Sequence, residues 1–175
     1  MPTMPTLPSI PDIDFQKIAD NTYDSDRLNI GDQLNNSNYI ILKKLDNPDG
    51  NGAQGIAVVS KKDYDKGNFS NIIISYRGTE PSAGDGDINA DINQIIFGVS
   101  DKVDGMGNPI PTQFDTALNF ANEIKNTYNP PNMSVTGHSL GGGLAAYVGA
   151  ELDIYGKMFS APNVFRLLSD AAKKR

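Results

Sequence analysis

The pentapeptide Gly-His-Ser-Leu-Gly at residues 137–141 constrains the fold of this 175-residue chain more than any other feature. The short segment Met-Ser-Val-Thr at 133–136 precedes it, and a segment at 140–152 that contains Leu, Ala, Tyr and Val continues from it. The first is typical of a strand and the second of a helix. A strand that turns so abruptly into a helix brings the residues on either side of Ser139 close together, which requires positions without bulk. The pattern predicts a strand–turn–helix unit with Ser139 at the bend.

Three consecutive glycines at 141–143 open the predicted helix. Each glycine in a helix costs about 1 kcal/mol relative to alanine, so helix stability alone does not favour three of them. Close packing of the helix against neighbouring backbone accounts for them, and such local exceptions occur where function requires them. The alternative is a glycine-rich turn with an incidental serine. The flanking strand and helix favour a serine that is presented as a nucleophile.

Helical and strand-like segments alternate along the rest of the chain. Apolar residues at helical spacing predict helices, and short continuous apolar runs predict buried strands. The predicted helices cover 12–26, 88–99, 113–128, 140–152 and 165–175, and the predicted strands cover 39–45, 54–60, 72–76, 133–136 and 155–160. A turn cluster at 47–52 joins the first two strands in a hairpin. The alternation predicts an α/β fold with a largely parallel sheet.

Length and composition narrow the class of protein. The length favours one domain over 13–175, preceded by an extended proline-rich arm over 1–12. Cysteine is absent, which excludes disulfide frameworks and thiolate catalysis. The net charge of -6 argues against nucleic acid as a partner. The first residues lack the basic and apolar regions of a signal peptide and no apolar run has the length of a membrane span, so we expect a cytoplasmic protein or one secreted by a non-Sec route.

Four motifs resemble those of a known family. The segment VTGHSLGGGLAA at 135–146 resembles the serine turn of the class 3 lipases, an α/β-hydrolase branch that acts on acylglycerols, phospholipids and related esters. ISYRGTE at 74–80 is similar to the family's strand that ends in aromatic-Arg-Gly-Thr. DINAD at 87–91 is similar to its D-x-x-x-D segment, although Ile88 replaces the usual aromatic residue. FSAPN at 159–163 is similar to the strand and turn after the serine helix.

The resemblance spans roughly residues 70–165, with the motifs in the family's order. The segment 113–124 lacks the His-x-Gly-Phe lead-in of the fungal members and looks more like the bacterial phospholipase-type branch. The resemblance implies an α/β-hydrolase-like fold, a mostly parallel sheet with flanking helices that is incomplete at its C-terminal end. It implies a serine ester hydrolase that acts on lipid or other esters and needs no cofactor.

The same resemblance assigns roles to individual residues. Ser139 is the expected nucleophile, and the backbone N–H of Leu140 is one expected donor to the oxyanion. Thr79 is the expected second donor, with a strand-end cap as its alternative reading. Gly137, His138 and Gly141 are expected to support the turn. Arg77 is expected to pair with a carboxylate such as Asp91 in a structural role.

The triad that should activate Ser139 is incomplete. The only histidine is His138, whose place next to Ser139 turns its side chain away, so we expect it to be hydrogen-bonded and buried beneath the turn. Asp153 and Asp170 are poor candidates for the acid because both belong to helices rather than to the strand end that should present it. Loss of the base costs on the order of a millionfold in turnover in a related serine hydrolase, so this chain alone should be nearly inactive.

Three interpretations therefore stay open. The chain is the N-terminal part of a lipase whose Asp and His lie downstream, one half of a two-chain hydrolase, or a hydrolase-like binding module without catalysis. In the first two, a missing C-terminal segment or a partner chain supplies the Asp and the His. A sheet without its last strands leaves an open edge, along which we expect self-association or partner binding.

Two further segments lie between the motifs. The helix at 88–99 or the loop at 100–111 is the candidate lid over the site, with a core-packed helix as the alternative for 88–99. The carboxylates in and near these segments have no EF-hand spacing, and we expect them to form a solvated loop face without a metal site. They are Asp85, Asp87, Asp91, Asp101 and Asp104.

Overall fold

The computed structural model describes residues 10–78, 103–109 and 111–175. The strands of these residues are β1 (Tyr39–Asp46), β2 (Gln54–Ser60), β3 (Asn71–Tyr76), β4 (Asn132–His138) and β5 (Tyr155–Phe159). Their α-helices are α1 (Asp12–Thr22), α2 (Lys61–Asp65), α3 (Gln113–Tyr128), α4 (Leu140–Leu152) and α5 (Asp170–Lys173), with 3₁₀ turns at Ser25–Arg27 and Phe165–Leu167.

The strands form one sheet in the order β1-β2-β3-β4-β5. β2 is antiparallel to β1 and to β3, whereas β3–β4 and β4–β5 are parallel pairs. Four of the five strands therefore run in one direction, and the predicted α/β fold with a mostly parallel sheet is confirmed. The outer strands of this sheet are β1 and β5.

Helices cover both faces of the sheet, and as a result strand β3 is buried on both sides. Its side chains alternate between the faces, as in any strand. Ile72 and Ile74 pack in one core with α3 and α4, whereas Ile73 packs in a second core with Phe15 and Ile18 of α1. Both faces of β3 are buried, which explains its continuous isoleucine run.

The carboxyl ends of β3, β4 and β5 meet at one end of the sheet. Tyr76 pairs with Gly137 at the ends of β3 and β4, and His138 pairs with Phe159 at the ends of β4 and β5. The turn between β1 and β2 lies at this same end, because Gly55 at the start of β2 pairs with Tyr76. Ser139 follows β4 directly, so this end is called the Ser139 end below.

The bounds of α3 agree with the predicted helix at 113–128 because both ends have local stop signals. At the start, Thr112 and Asp115 form a capping box, in which each side chain bonds to the other's backbone N–H. At the end, Asn129 is left-handed with φ 44°, and Pro130 follows it.

Two predicted helices differ from the structure. The first ends at Thr22 rather than at residue 26, and the Thr22 hydroxyl bonds to the Ile18 carbonyl and, at 2.6 Å, to the Ser75 hydroxyl. The predicted helix at 165–175 is wrong, because a 3₁₀ turn and the short α5 replace it. Leu168 is extended between them, and the N–H and hydroxyl of Ser169 both bond to the Glu151 carboxylate.

Some predictions fall on other parts of the chain. Residues 1–9 of the proline-rich arm and the lid candidate at 88–99 lie outside the described residues. The division into an arm and a single domain at 13–175 stays a prediction, and α1 begins at Asp12. Of the helices in 10–78, 103–109 and 111–175, none has both the length and the apolar character needed to cross a bilayer.

Candidate active site

Ser139 occupies the bend between β4 and α4 in a backbone conformation that L residues rarely adopt, with φ 57° and ψ -124°. Such conformations cost energy and persist only where the surroundings impose them. Here the Ser139 N–H donates to the Phe159 carbonyl at 2.9 Å, and the Ser139 carbonyl accepts from the Gly143 N–H at 3.1 Å. The bend is held between the neighbouring strand and the first turn of the helix, and Ser139 is half-buried rather than enclosed.

The glycines around the bend are closely packed, against backbone at Gly137 and Gly141 and against side chains at Gly142 and Gly143. A Cβ on Gly137 would overlap the backbone of Gly141, and a Cβ on Gly141 would overlap the Tyr76 carbonyl oxygen. A Cβ on Gly142 would lie 2.9 Å from the Ala161 side chain, and one on Gly143 would lie 2.9 Å from a Pro162 carbon. The close packing predicted from the glycine run is present in the structure.

Leu140 is the first residue of α4, and its side chain is buried. The first N–H groups of a helix have no carbonyl partner within the helix, and the helix dipole adds positive potential at this end. Leu140 carries one of these first N–H groups, directly after Ser139 in the chain.

Thr79, the other expected donor, lies outside the described residues. Its neighbour Gly78 packs directly on the bend. A Cβ on Gly78 would lie 2.5 Å from the His138 carbonyl oxygen and 3.5 Å from the Gly141 nitrogen. Gly78 thus lies close to both sides of the Ser139 bend.

His138 is bonded to a residue that the sequence did not indicate. Its Nδ1 atom lies 2.7 Å from the hydroxyl of Tyr23, and the two rings meet edge to face with centroids 5.9 Å apart. Tyr23 is the C-cap of α1. The expected hydrogen bond exists, but the imidazole is half-buried rather than buried. This contact ties the ring to α1.

Arg77 holds the end of β3 to the segment after α1. Its Nη1 atom donates to the Gln54 Oε1 atom at 2.7 Å and lies 3.5 Å from an Asp26 carboxylate oxygen. Asp91, the partner suggested by the sequence, lies outside the described residues. The arginine side chain is 15% exposed, which suits a structural ion pair at the edge of the site.

The two acids that the sequence disfavoured lie far from Ser139. Asp153 is the C-cap of α4, so the full 13-residue helix, about 20 Å, separates it from Ser139. Asp170 begins α5, whose N-cap Ser169 bonds to Glu151 near the same far end of α4. Neither carboxylate is placed to orient a base at the bend.

The carboxylates away from the bend include the loop residue Asp104. Within the described part of the chain, no three His, Asp or Glu side chains are arranged to hold a metal ion. The Asp104 carboxylate instead accepts the N–H groups of Met106 and Asn108, and these bonds lower the pKa of Asp104. The other four loop carboxylates, Asp85, Asp87, Asp91 and Asp101, lie outside the described residues.

The family model of the Tle-like phospholipase domain, described as phospholipase-like, matches residues 42–163. The chain belongs to this family. The match contains the Ser139 bend, β2 to β5 and helix α4. The predicted resemblance to lipases and phospholipases is therefore confirmed, and none of the curated proteins matches the chain.

A solved lipase structure shares this fold, and two others are similar to the chain. The Lip2 lipase of Yarrowia lipolytica has a TM-score of 0.51 at 15% identity, with 85% of this chain and 57% of that chain covered. A lipase of Rhizopus microsporus var. chinensis has 0.49 at 16% identity, covering 86% and 56%, and a triacylglycerol lipase of Penicillium expansum has 0.47 at 17%, covering 84% and 58%. The α/β-hydrolase-like fold is confirmed, and the chain spans a little over half the length of these lipases.

Proposed function

We propose that this lipase- and phospholipase-like hydrolase domain cleaves acyl esters through Ser139 as nucleophile. The observation that carries the proposal is the positive φ of Ser139 between β4 and α4, beside glycines at which an added Cβ would have no room. Strain of this kind at an incompletely buried hydroxyl has no structural benefit, whereas it serves a nucleophile that must reach a substrate. The family's phospholipase-like character favours lipid esters as the substrate class.

The proposed chemistry follows from the geometry. The Ser139 Oγ atom attacks the ester carbonyl carbon while its proton passes to a base, and the carbonyl oxygen becomes an oxyanion. The Leu140 N–H and the positive end of α4 stabilise that charge, and Thr79 is the proposed second donor. One such donor contributes about 10²–10³ in rate in serine hydrolases. The alcohol then leaves, and water hydrolyses the acyl-serine.

The general base that accepts the Ser139 proton must come from a residue other than His138. The chain contains one histidine, and that ring is held at Tyr23. We therefore propose that a segment outside these 175 residues, on the same polypeptide or on a partner chain, supplies the His and the Asp. The outer side of β5, along which no described strand pairs, is the proposed place for that segment, because the outer strand of a sheet can pair with a further strand.

Chemical rescue tests the nucleophile without knowledge of the missing segment. Free imidazole can act as an external general base, so it should raise acylation of the chain by a p-nitrophenyl ester by roughly tenfold or more. Intact-mass measurement should place the acyl group on Ser139. Ser139→Ala should abolish the effect.

Ser160 provides the matched control. It is exposed, directly follows β5 at the Ser139 end, and has φ 50°, so Ser160→Gly removes a nearby hydroxyl without backbone strain. We expect imidazole to act equally on this variant and on the parent chain. Equal rescue of Ser139→Ala and the parent would refute Ser139 as the nucleophile and favour the binding-module interpretation.

A further inference from the structure

An open cleft lies between α1 and the loop before β1, at the end of the sheet opposite to Ser139. Tyr39, which lines it, pairs with Ser60 at the far end of the β1–β2 pair from Gln54. β1 has eight residues, so about 20 Å separates the cleft from the Ser139 end. The cleft is called the Tyr39 cleft below, and its lining includes the side chains of Asp14, Lys17, Asn36, Asn38 and Tyr39.

The loop that forms one side of the Tyr39 cleft is held in shape without a ligand. The Leu34 N–H donates to the Tyr39 carbonyl at 2.9 Å, and the Leu34 side chain is buried in the core that contains α1. The Asn21 side chain of α1 donates to the Asn35 carbonyl at 3.1 Å and accepts from the Asn35 N–H at 3.0 Å. A ligand therefore meets a cleft that is already formed, and binding does not have to order the loop.

The size and lining of the cleft suit a small polar ligand. Its volume of about 330 Å³ is at the lower end of the range for small-molecule sites, about 300–1,000 Å³. The described residues that line it include no Leu, Ile, Val, Phe or Met. A ligand with a large apolar surface would thus find little to pack against.

Charge argues against an anionic ligand. Among the described residues that line the cleft, Lys17 is the only cation and Asp14 is the only anion. A phosphate or carboxylate ligand would gain one lysine contact, but Asp14 and the chain's net charge of -6 would oppose it. The lining therefore favours a ligand that is polar and uncharged.

The hydrogen-bonding groups of the cleft match neighbouring hydroxyl groups. Asp14 accepts from the Tyr39 hydroxyl at 3.1 Å through its Oδ2 atom, and a carboxylate has capacity for further donors. The side-chain amides of Asn36 and Asn38 have no hydrogen-bond partner within the described part of the chain. Each amide both donates and accepts, as does each hydroxyl group of a sugar, so one amide can bond to two adjacent hydroxyls.

We propose that the Tyr39 cleft binds a neutral mono- or disaccharide unit, whose hydroxyl groups bond to Asp14, Asn36 and Asn38. This function goes beyond ester cleavage, because the cleft and Ser139 lie at opposite ends of the sheet. A chain that is held on a glycan through this cleft keeps its Ser139 end free for an ester substrate.

Saturation-transfer NMR of the full chain tests for binding. The probes are glucose, galactose, mannose, N-acetylglucosamine, lactose and cellobiose at millimolar concentration. We expect transfer to at least one of these neutral sugars, and weaker transfer to glucuronate because of its charge. Absence of transfer to all six neutral sugars would overturn the proposal.

Two left-handed asparagines provide a matched pair of variants. Asn36 has φ 55° and lines the cleft, whereas Asn129 has φ 44° and ends α3, and both are exposed. Glycine accepts such a φ without strain, so each substitution removes an amide and leaves the backbone in place. Asn36→Gly should weaken sugar binding by about fivefold, and Asn129→Gly should leave it unchanged. Equal affinities for these two variants would contradict the assignment of the cleft.

A second pair separates the cleft from the Ser139 end. Asp14→Asn keeps an oxygen that can accept from Tyr39 but removes the charge, and it should weaken sugar binding by about tenfold because bonds to a carboxylate are stronger. Urea denaturation checks that this variant is folded. Ser139→Ala should bind sugar as the parent chain does. Loss of binding in Ser139→Ala alone would place the sugar at the other end of the sheet and overturn the proposal.

Discussion

At Gly141 in its first turn, helix α4 lies against the backbone that ends β3, whereas at its last turn the side chain of Arg175 bonds to it. Near Ser139, Gly141 approaches the carbonyl of Tyr76 so closely that no Cβ fits. At the other end, the Arg175 guanidinium donates to the carbonyls of Ala150 and Glu151 at 2.6 Å and 2.8 Å. The first arrangement fixes position by shape and tolerates no added atom, while the second uses exposed polar groups that can be replaced. One helix is thus held by tight backbone packing at its Ser139 end and by exposed polar contacts at its other end.

The largest expected change in stability comes from adding one methyl group at Gly141, in the first turn of α4. Gly141→Ala should lower the free energy of unfolding by about 3 kcal/mol, because the new Cβ overlaps the Tyr76 carbonyl and the backbone of β3 must move. Urea denaturation measures this change. Gly105→Ala is the control, since a Cβ there meets open space, and it should change stability by less than about 0.5 kcal/mol. Similar values for the two variants would contradict the packing argument.

The pH dependence of stability above neutrality tests the packing around Tyr76, which lies at the Ser139 end of β3. Its hydroxyl donates to the Ala117 carbonyl at 2.7 Å, and complete burial raises the pKa of Tyr76 far above the ordinary value. In the unfolded chain this tyrosine loses its proton near pH ~10, so above that pH the unfolded state binds fewer protons. The free energy of unfolding should therefore fall above about pH 10, with up to about 1.4 kcal/mol per pH unit from Tyr76.

Tyr76→Phe isolates this contribution. The variant loses the hydrogen bond and should be less stable at neutral pH by about 1 kcal/mol, yet its stability should fall less steeply above pH ~10. Chemical denaturation between pH ~8 and ~11 compares the two slopes. Tyr39→Phe is a useful second variant, because burial and the nearby Asp14 also raise the pKa of Tyr39. Parallel curves for the parent chain and Tyr76→Phe would show that another group controls alkaline unfolding.

The smallest change in stability is expected near the last turn of α4, where Ser169 bonds to Glu151. Ser169 caps α5 by accepting from the Ala172 N–H at 3.2 Å and donates to a Glu151 carboxylate oxygen at 2.8 Å. Ser169→Ala should cost about 0.5–1 kcal/mol, since both groups are exposed to water. Ser169→Thr keeps a hydroxyl cap and should cost less. Thermal unfolding is the measurement, and a loss comparable to that of Gly141→Ala would remove the distinction between the two ends.

Local signals in the sequence predicted much of this fold. The capping residues Thr112 and Asp115 and the stop at Asn129 determine α3 within a few residues of its ends, so its bounds were predictable. The glycines around Ser139 likewise predicted a tight bend before its packing was known. In contrast, the predicted C-terminal helix is wrong because Glu151, distant in sequence, bonds to Ser169 and separates the 3₁₀ turn from α5.

Contacts between distant residues had no such signal. Tyr23 lies in a segment that the sequence predicted as helix, and nothing in its neighbours indicates a bond to His138. The Asp26 partner of Arg77 is another tertiary contact, for which the resemblance suggested Asp91 instead. The position of Ser139 was therefore predictable from local pattern, whereas the residues that surround and hold its bend depend on the assembled sheet.

The hydrogen bond between Tyr23 and His138 joins residues 115 positions apart, and this separation indicates when in folding the bond forms. Closing a chain segment of that length costs more entropy than forming a local turn, so contacts of this kind form late. The bend at Ser139 can begin from its own glycines, but its histidine acquires its partner only when the N-terminal helix docks on the sheet. During synthesis, more than a hundred further residues must therefore be added after α1 before Tyr23 can bond to His138.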